Sequence, residues 1–357
     1  MSNNLLLYHK ILAQVRQWLP QERITRLRNL AFLVMGVYRS ASVNLSKIVR
    51  KWPQPGKLVS LTNRLRRFLD NPRVEKTVYM APLARSLLAS HTGGQVVLII
   101  DLTQVGCHYR TLVVGIAYRK RCLPLMWSVH PGEKGSVEVN EILALLGQVQ
   151  EWLPADVQVI LVGDAGFPST DLLLWLRAQG WSYVLSQHAN RSVRKEGEKW
   201  LALQQIPIQA GQTIEVGWVW MAKTTPFGPC WLLLHWKKGE EHPWILFSNL
   251  EGTKTVLSLY AKRMWIDELY GDLKGHGFDL ESTHLGSPER IETLLLGVVL
   301  AYIWLISLGS WLVKQGLRHW IDRNNRRDKS YFRLGWDWVE RCIQLVKPIR
   351  VQFIPLL

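Results

Sequence analysis

Acidic residues are scarce where basic ones are dense. The first 90 of 357 residues hold 3 Asp or Glu against 16 Lys or Arg, in a chain of formal net charge +16. Cysteine is also sparse: Cys107, Cys122, Cys230 and Cys342 stand far apart, with no CxxC pair and no metal-finger spacing. That excludes a disulfide scaffold and a zinc module, and points to a reducing compartment. No Walker loop or GxGxxG occurs, which argues against ATP or dinucleotide use, and no nucleophile elbow is present. The opening stretch MSNNLLLYHKILAQVRQ has neither a long apolar run nor a small-residue cleavage site, so export is not expected. Apolar residues are abundant: 48 % hydrophobic against 20 % charged excludes a disordered chain. At roughly 100–200 residues per domain, the length suggests two or three domains.

The positive charge implies a polyanionic partner, nucleic acid or anionic lipid. Its location discriminates between them. Residues 1–90 carry a net +13, whereas 91–190 hold 6 basic against 8 acidic residues, 191–250 hold 7 against 5, and 251–357 hold 15 against 12. The charge is therefore concentrated in one segment outside a slightly acidic centre, which favours DNA.

Residues 1–92 read as a helical, basic DNA-binding region. LRNLAFLVMGVYRSASVNLSKIVRKW (27–52) has helical spacing, followed by a break at Pro53, Pro55 and Gly56. Ser60 is placed to cap LTNRLRRFLD, and Pro72 closes it. The second helix of this pair carries Arg64, Arg66 and Arg67, in the manner of a small helical DNA-binding unit. The Gly93-Gly94 pair marks a boundary.

From residue 95 the pattern is that of strands. QVVLIIDLT, TLVVGIAYR and RCLPLMWSVH form an expected three-stranded meander. A helix (138–153), a buried strand VQVILVGDAGF (157–167), a helix (170–180) and a strand (182–187) follow. The order βββαβαβ gives an α/β fold, a mixed sheet with flanking helices over 93–310. Residues 188–250 interrupt it as a β-rich insertion, in which TIEVGWVW sets Ile214, Val216, Trp218 and Trp220 on one face. A long helix is expected over 254–280, and a helical tail over 311–357. The segment 293–313 has 21 residues without a charge and could span a bilayer by length. Its two Gly, two Ser, Thr and Tyr, and the lack of a second such run, favour a buried core helix and no membrane partner.

Two aspartates end apolar strands: Asp101 after VVLII and Asp164 after VILVG. Neighbouring strand ends would bring their carboxylates together, an arrangement that calls for a cation, and hard oxygen donors suit magnesium or manganese. Along 260–274, an advance of about 100° per residue sets Tyr260, Arg263, Asp267 and Lys274 within roughly 60° of one another, and Glu268 away from them. Asp267 would then face the metal pair, while Tyr260, Arg263 and Lys274 would face phosphates.

The IIDLT and VGDAGF strands and the spacing Tyr-x2-Arg-x3-acid-x6-Lys, followed by GFDLEST, resemble the bacterial insertion-sequence DDE transposases that carry the YREK signature. The resemblance covers about residues 95–310. It implies an RNase H-like catalytic domain with a β-rich insertion, two magnesium ions (manganese as substitute), and metal-dependent cleavage at element ends followed by strand transfer. Asp101, Asp164 and Asp267 would hold the ions, with Glu268 the alternative third carboxylate. The implied partners are duplex DNA with terminal inverted repeats, target DNA and a second copy of the chain, in a bacterial cytoplasm at the nucleoid. One of the insertion tryptophans, Trp218, Trp220, Trp231, Trp236 or Trp244, would stack on an extruded base. The sequence departs from the family pattern twice: Asp267 stands where Glu is usual, and Ala165 where Arg often follows the second Asp. A nuclease without strand transfer, or an inactive DNA-binding relic, are the alternatives.

Overall fold

The computed structural model describes residues 3–90, 94–106, 108–132, 135 and 137–356; Gly93 and Cys107 lie outside the described residues. Five helices open the chain: α1 (Asn3–Trp18), α2 (Ile24–Ser40), α3 (Leu45–Val49), α4 (Leu58–Leu69) and α5 (Lys76–Ser90). The helix expected over 27–52 is divided in two. Ala41 turns left-handed (φ 49) after α2, and the Asn44 side chain starts α3 by accepting from the Ser46 N–H. Ser60 lies inside α4, which begins two residues earlier than its expected cap.

The meander is present as β1 (Gln95–Val105), β2 (Tyr109–Tyr118) and β3 (Arg121–Pro131), with β2 antiparallel to both neighbours. Then α6 (Val139–Gln150) leads to β4 (Gln158–Gly163), and α7 (Thr170–Ala178) leads to β5 (Ser182–Ser186), both strands parallel to β1. The inserted strands are β6 (Ser192–Arg194), β7 (Leu201–Ala202), β8 (Thr213–Met221), β9 (Phe227–His235) and β10 (Trp244–Ser248). They do not form a separate unit. β10 pairs antiparallel with β5, so one ten-stranded sheet runs β3-β2-β1-β4-β5-β10-β9-β8-β6-β7.

The alternation expected in β8 is broken by bulges near Gly217 and Trp220. An extra residue in one strand of a pair resets which face the next side chains meet. Val219 and Met221 are therefore buried, while Trp218 is 39 % exposed.

After β10 the expected long helix is interrupted as well. α8 (Thr253–Tyr260) passes through a 3-10 turn, Ala261–Met264, into α9 (Trp265–Leu273). α9 buries Ile266, Leu269, Tyr270 and Leu273, spaced by three and four residues, against the sheet. α10 (Pro288–Lys314) and α11 (Tyr331–Gln344) complete the fold.

Among the described residues, α10 is the one helix long and apolar enough to cross a membrane, and 94 % of its most apolar window is buried in protein. Several of its polar groups find partners inside the molecule, although the buried Tyr302 hydroxyl has none among the described residues. Ser307 donates to the Ile354 carbonyl at 2.9 Å, and the Trp304 indole donates to the Arg350 carbonyl at 3.0 Å. α2 packs on the same helix, and the N-terminal helices share one continuous core with the sheet. The expectation of a buried core helix fits this enclosure; α10 is apolar on all sides because protein surrounds it.

Candidate active site

Strand register sets the first two carboxylates side by side. In the parallel β1–β4 pair, Ile100 is level with Gly163, so the next residues are Asp101 and Asp164 on adjacent strands. Adjacent strands lie about 4.8 Å apart. Gly163 keeps them close: a Cβ there would lie 2.8 Å from Ile100 Cγ2 and 3.1 Å from Leu185 Cδ2. Beyond the strand, Asp164 Oδ1 accepts from the Ala165 N–H at 2.7 Å, which fixes one carboxylate oxygen and leaves the other free to point across the site.

Arg263 enters from the 3-10 turn between α8 and α9. Its Nη2 donates to Asp164 Oδ2 at 3.0 Å and lies 3.6 Å from Asp101 Oδ1. A turn with three residues per rotation aims Arg263 differently from a continuing α-helix, and such interruptions mark functional sites. The guanidinium is mostly buried. Burial works against its charge, but the carboxylates of Asp164 and Asp101 outweigh that and hold it protonated.

Asp101 is buried, and that burial pushes its carboxyl up to about 6. Arg263 opposes this shift, while Asp267 and Asp164 add to it through like charge. Asp267, in the first turn of α9, is raised too, by burial and by repulsion from Asp164 and Glu268, with Arg263 opposing. The three aspartates therefore share one electrostatic neighbourhood. Glu268 is turned elsewhere: its carboxylate pairs with Arg121 Nη1 at 2.8 Å, while Arg121 Nε donates to Asp272 Oδ2 at 2.8 Å.

The remaining sequence-selected residues are more dispersed. Tyr260 is 2 % exposed, edge-on to Trp244 at 4.9 Å, and burial raises its hydroxyl. Lys274 ends α9 and pairs with Glu281 at 3.2 Å. The Tyr260 hydroxyl still shares the electrostatic neighbourhood of Asp164, Arg263 and Asp101, whereas Lys274 is turned to Glu281. Arg64 is tied to Asn29 at 2.6 Å and stacks over Trp52, whereas Arg66 lines a cavity of about 440 Å³ with Asn44, His284 and Arg290, and Arg67 is exposed. The Trp218 indole donates to Glu251 at 2.8 Å; Trp220 is half-buried.

Two contributors were not foreseen from the sequence. Arg121 holds Glu268 and Asp272 from the far side of α9, and its only sequence signal is the basic run Arg119-Lys120-Arg121 at a hairpin turn. Tyr270 places a buried hydroxyl with no hydrogen-bond partner among the described residues near Asp101 and Asp267, whose charges hold it protonated after burial.

Among the described residues, no three His, Cys, Asp or Glu side chains close on one ion-sized space as they stand. The donor chemistry nonetheless suits a hard divalent cation, since Asp101 and Asp164 already share one cation, the Arg263 guanidinium.

A mixed α/β sheet that carries one aspartate within β1 and a second just past the end of the adjacent parallel β4, with a third on a covering helix, defines a carboxylate-centred α/β protein. The transposase DDE domain family profile matches residues 93–304, more than half of the chain. The chain belongs to that transposase family. No curated protein matches it significantly. Among solved structures it is similar to a piggyBac transposase synaptic complex with hairpin DNA, at TM-score 0.48 and 10% identity, over 98% of this chain and 86% of that one. It is similar more remotely to Marinitoga piezophila Argonaute bound to guide RNA and target DNA, at TM-score 0.24 and 10% identity, over 70% of this chain and 37% of that one.

Proposed function

We propose that the chain cuts DNA at the ends of a transposable element and joins the freed 3′ ends to target DNA by metal-dependent phosphoryl transfer. The observation that carries this reading is the capture of one guanidinium by Asp101 and Asp164 beside Asp267. The strand order β3-β2-β1-β4-β5, with β1, β4 and β5 parallel, supports an RNase H-like core extended by the inserted strands.

In this reading Asp101, Asp164 and Asp267 hold the divalent ions, magnesium or manganese. Bound there, the ions supply activation of a water or 3′-hydroxyl and neutralise charge on the leaving oxygen. The chain's own residues do the rest. Asp101 gives up its proton before it can act as a ligand, which its raised pKa of about 6 permits near neutral pH. Arg263 turns from the carboxylates to a DNA phosphate, and Tyr260 with Trp244 forms a dry wall behind it. Glu268 stays with Arg121 and positions α9, so Asp267 is the third ligand. Trp218, the most exposed insertion tryptophan, offers a face to an unstacked base. The working form is a homodimer on duplex DNA with terminal inverted repeats, in a bacterial cytoplasm.

The test is a joining assay with pre-cleaved element ends, a supercoiled target and magnesium. Covalently joined product is expected. Cutting without joining would replace the proposal by a plain nuclease, and neither reaction would leave a DNA-binding protein.

A further inference from the structure

The proposed chemistry leaves unused a group of cations beside α9. Residues 314–333 hold seven Lys or Arg against two Asp. The loop they form faces the two-residue turn between β2 and β3, and the two enclose a cleft of about 320 Å³ whose lining includes Arg119, Lys120, Arg121, Arg327 and Lys329 beside the carboxylates of Glu268 and Asp328. Glu268 follows Asp267 in the chain but turns to Arg121, so the cleft and the three aspartates meet different faces of α9.

Both turn residues are left-handed, Arg119 at φ 45 and Lys120 at φ 64. Tyr118 pairs with Arg121 across the turn, the type I′ geometry that ordinarily takes Asn-Gly. Side chains with a Cβ are disfavoured there, and strain of this kind collects at functional sites. Arg119 anchors the turn: it donates to the Tyr331 hydroxyl at 3.0 Å and lies over the rings of Tyr118 and Tyr331. Arg121 is held by Glu268 and Asp272, and Lys329 by Asp337. Lys120 and Arg327 are exposed and make no ion pair among the described residues.

We infer that this cleft binds the sugar–phosphate backbone of duplex DNA, as a contact separate from the three aspartates. The inference rests on the function proposed above. Two fixed arginines form the walls, and two free cations stand at the mouth. Phosphates recur about every 3.4 Å of helix axis per strand, so two or more neighbouring ones fall within reach of Lys120 and Arg327 across the cleft.

The test uses the full chain and a labelled 30-base-pair duplex of random sequence, with binding followed by anisotropy over a salt series. Loss of one phosphate contact lowers the slope of log affinity against log salt by about 0.9. Lys120→Gly and Arg327→Gln are each expected to lower it by that amount, and the double variant by about twice as much. Lys238→Gln, an exposed lysine at the β9–β10 turn, is expected to leave the slope unchanged. Lys120→Gly also places the residue preferred by this turn, so the melting temperature should hold or rise while DNA affinity falls. An unchanged slope in the double variant, or an equal loss in the Lys238 control, overturns the cleft. If Asp267-dependent cutting persists beside an unchanged slope, the cleft alone fails; if the wild type never cuts, the function fails, and the slope comparison still decides the cleft.

Discussion

Arg263 Nη2 donates to Asp164 Oδ2 at 3.0 Å, from an element ninety-nine residues further along the chain. The same nitrogen lies 3.6 Å from Asp101 Oδ1, so one guanidinium neutralises the two carboxylates that strand register has forced together. Without a cation this pair would be costly, because like charges in a desolvated site oppose joint ionisation. Arg263 is the cation present.

Removing Arg263 therefore has opposite effects on two measurements. Arg263→Gln takes away the internal competitor, and manganese binding without DNA, read by electron paramagnetic resonance at pH 8, is expected to tighten several-fold. DNA cutting is expected to fall at least tenfold, because the phosphate loses its partner. Weaker manganese binding would show that Arg263 organises the carboxylates instead of competing for them.

Asp101 ties stability to pH. Its folded pKa of about 6 exceeds the usual carboxylate value, so its stabilising contribution is complete below the unfolded pKa and is lost as pH rises through about 6. Two pK steps correspond to on the order of 3 kcal/mol. Asp101→Asn, which cannot ionise, is expected to melt higher than the wild type at pH 7.5 and no higher at pH 4. Equal shifts at both pH values would contradict the assignment.

The N-terminal basic residues call for point substitutions, because α2 packs on α10 and the helices share the catalytic core. Deleting residues 1–90 would expose that core. Arg66→Gln with Arg67→Gln is expected to weaken binding to element ends and lower the salt slope by one to two units. Arg64→Gln acts differently: it removes the bond to Asn29 and the stacking on Trp52, and should lower the melting temperature instead.

The sequence made the meander, the two parallel strands and the buried helix legible, because apolar runs and helical spacing are local signals. The aspartates stood out because charge ends an apolar run at Asp101 and Asp164, although β1 itself continues past Asp101 to Val105. Joining of the insertion to the sheet was not legible, since edge pairing between β5 and β10 depends on tertiary placement. The 3-10 turn was hidden because the apolar spacing of 256–273 runs through it without a Gly or Pro signal. The β8 bulges reversed a face that simple alternation assigned. The partners of Arg263 and Glu268 lie far away in sequence, and only the folded chain brings them together.

In the proposed function Asp101, Asp164 and Asp267 form the metal-dependent cutting site, with Glu268 held outside it by Arg121. The most direct measurement is magnesium-dependent cleavage of an element-end duplex by Asp267→Asn and Glu268→Gln, compared at matched protein stability. Asp267→Asn is expected to abolish cleavage, and Glu268→Gln to retain a measurable fraction of it. Cleavage that survives Asp267→Asn and disappears with Glu268→Gln would contradict the account.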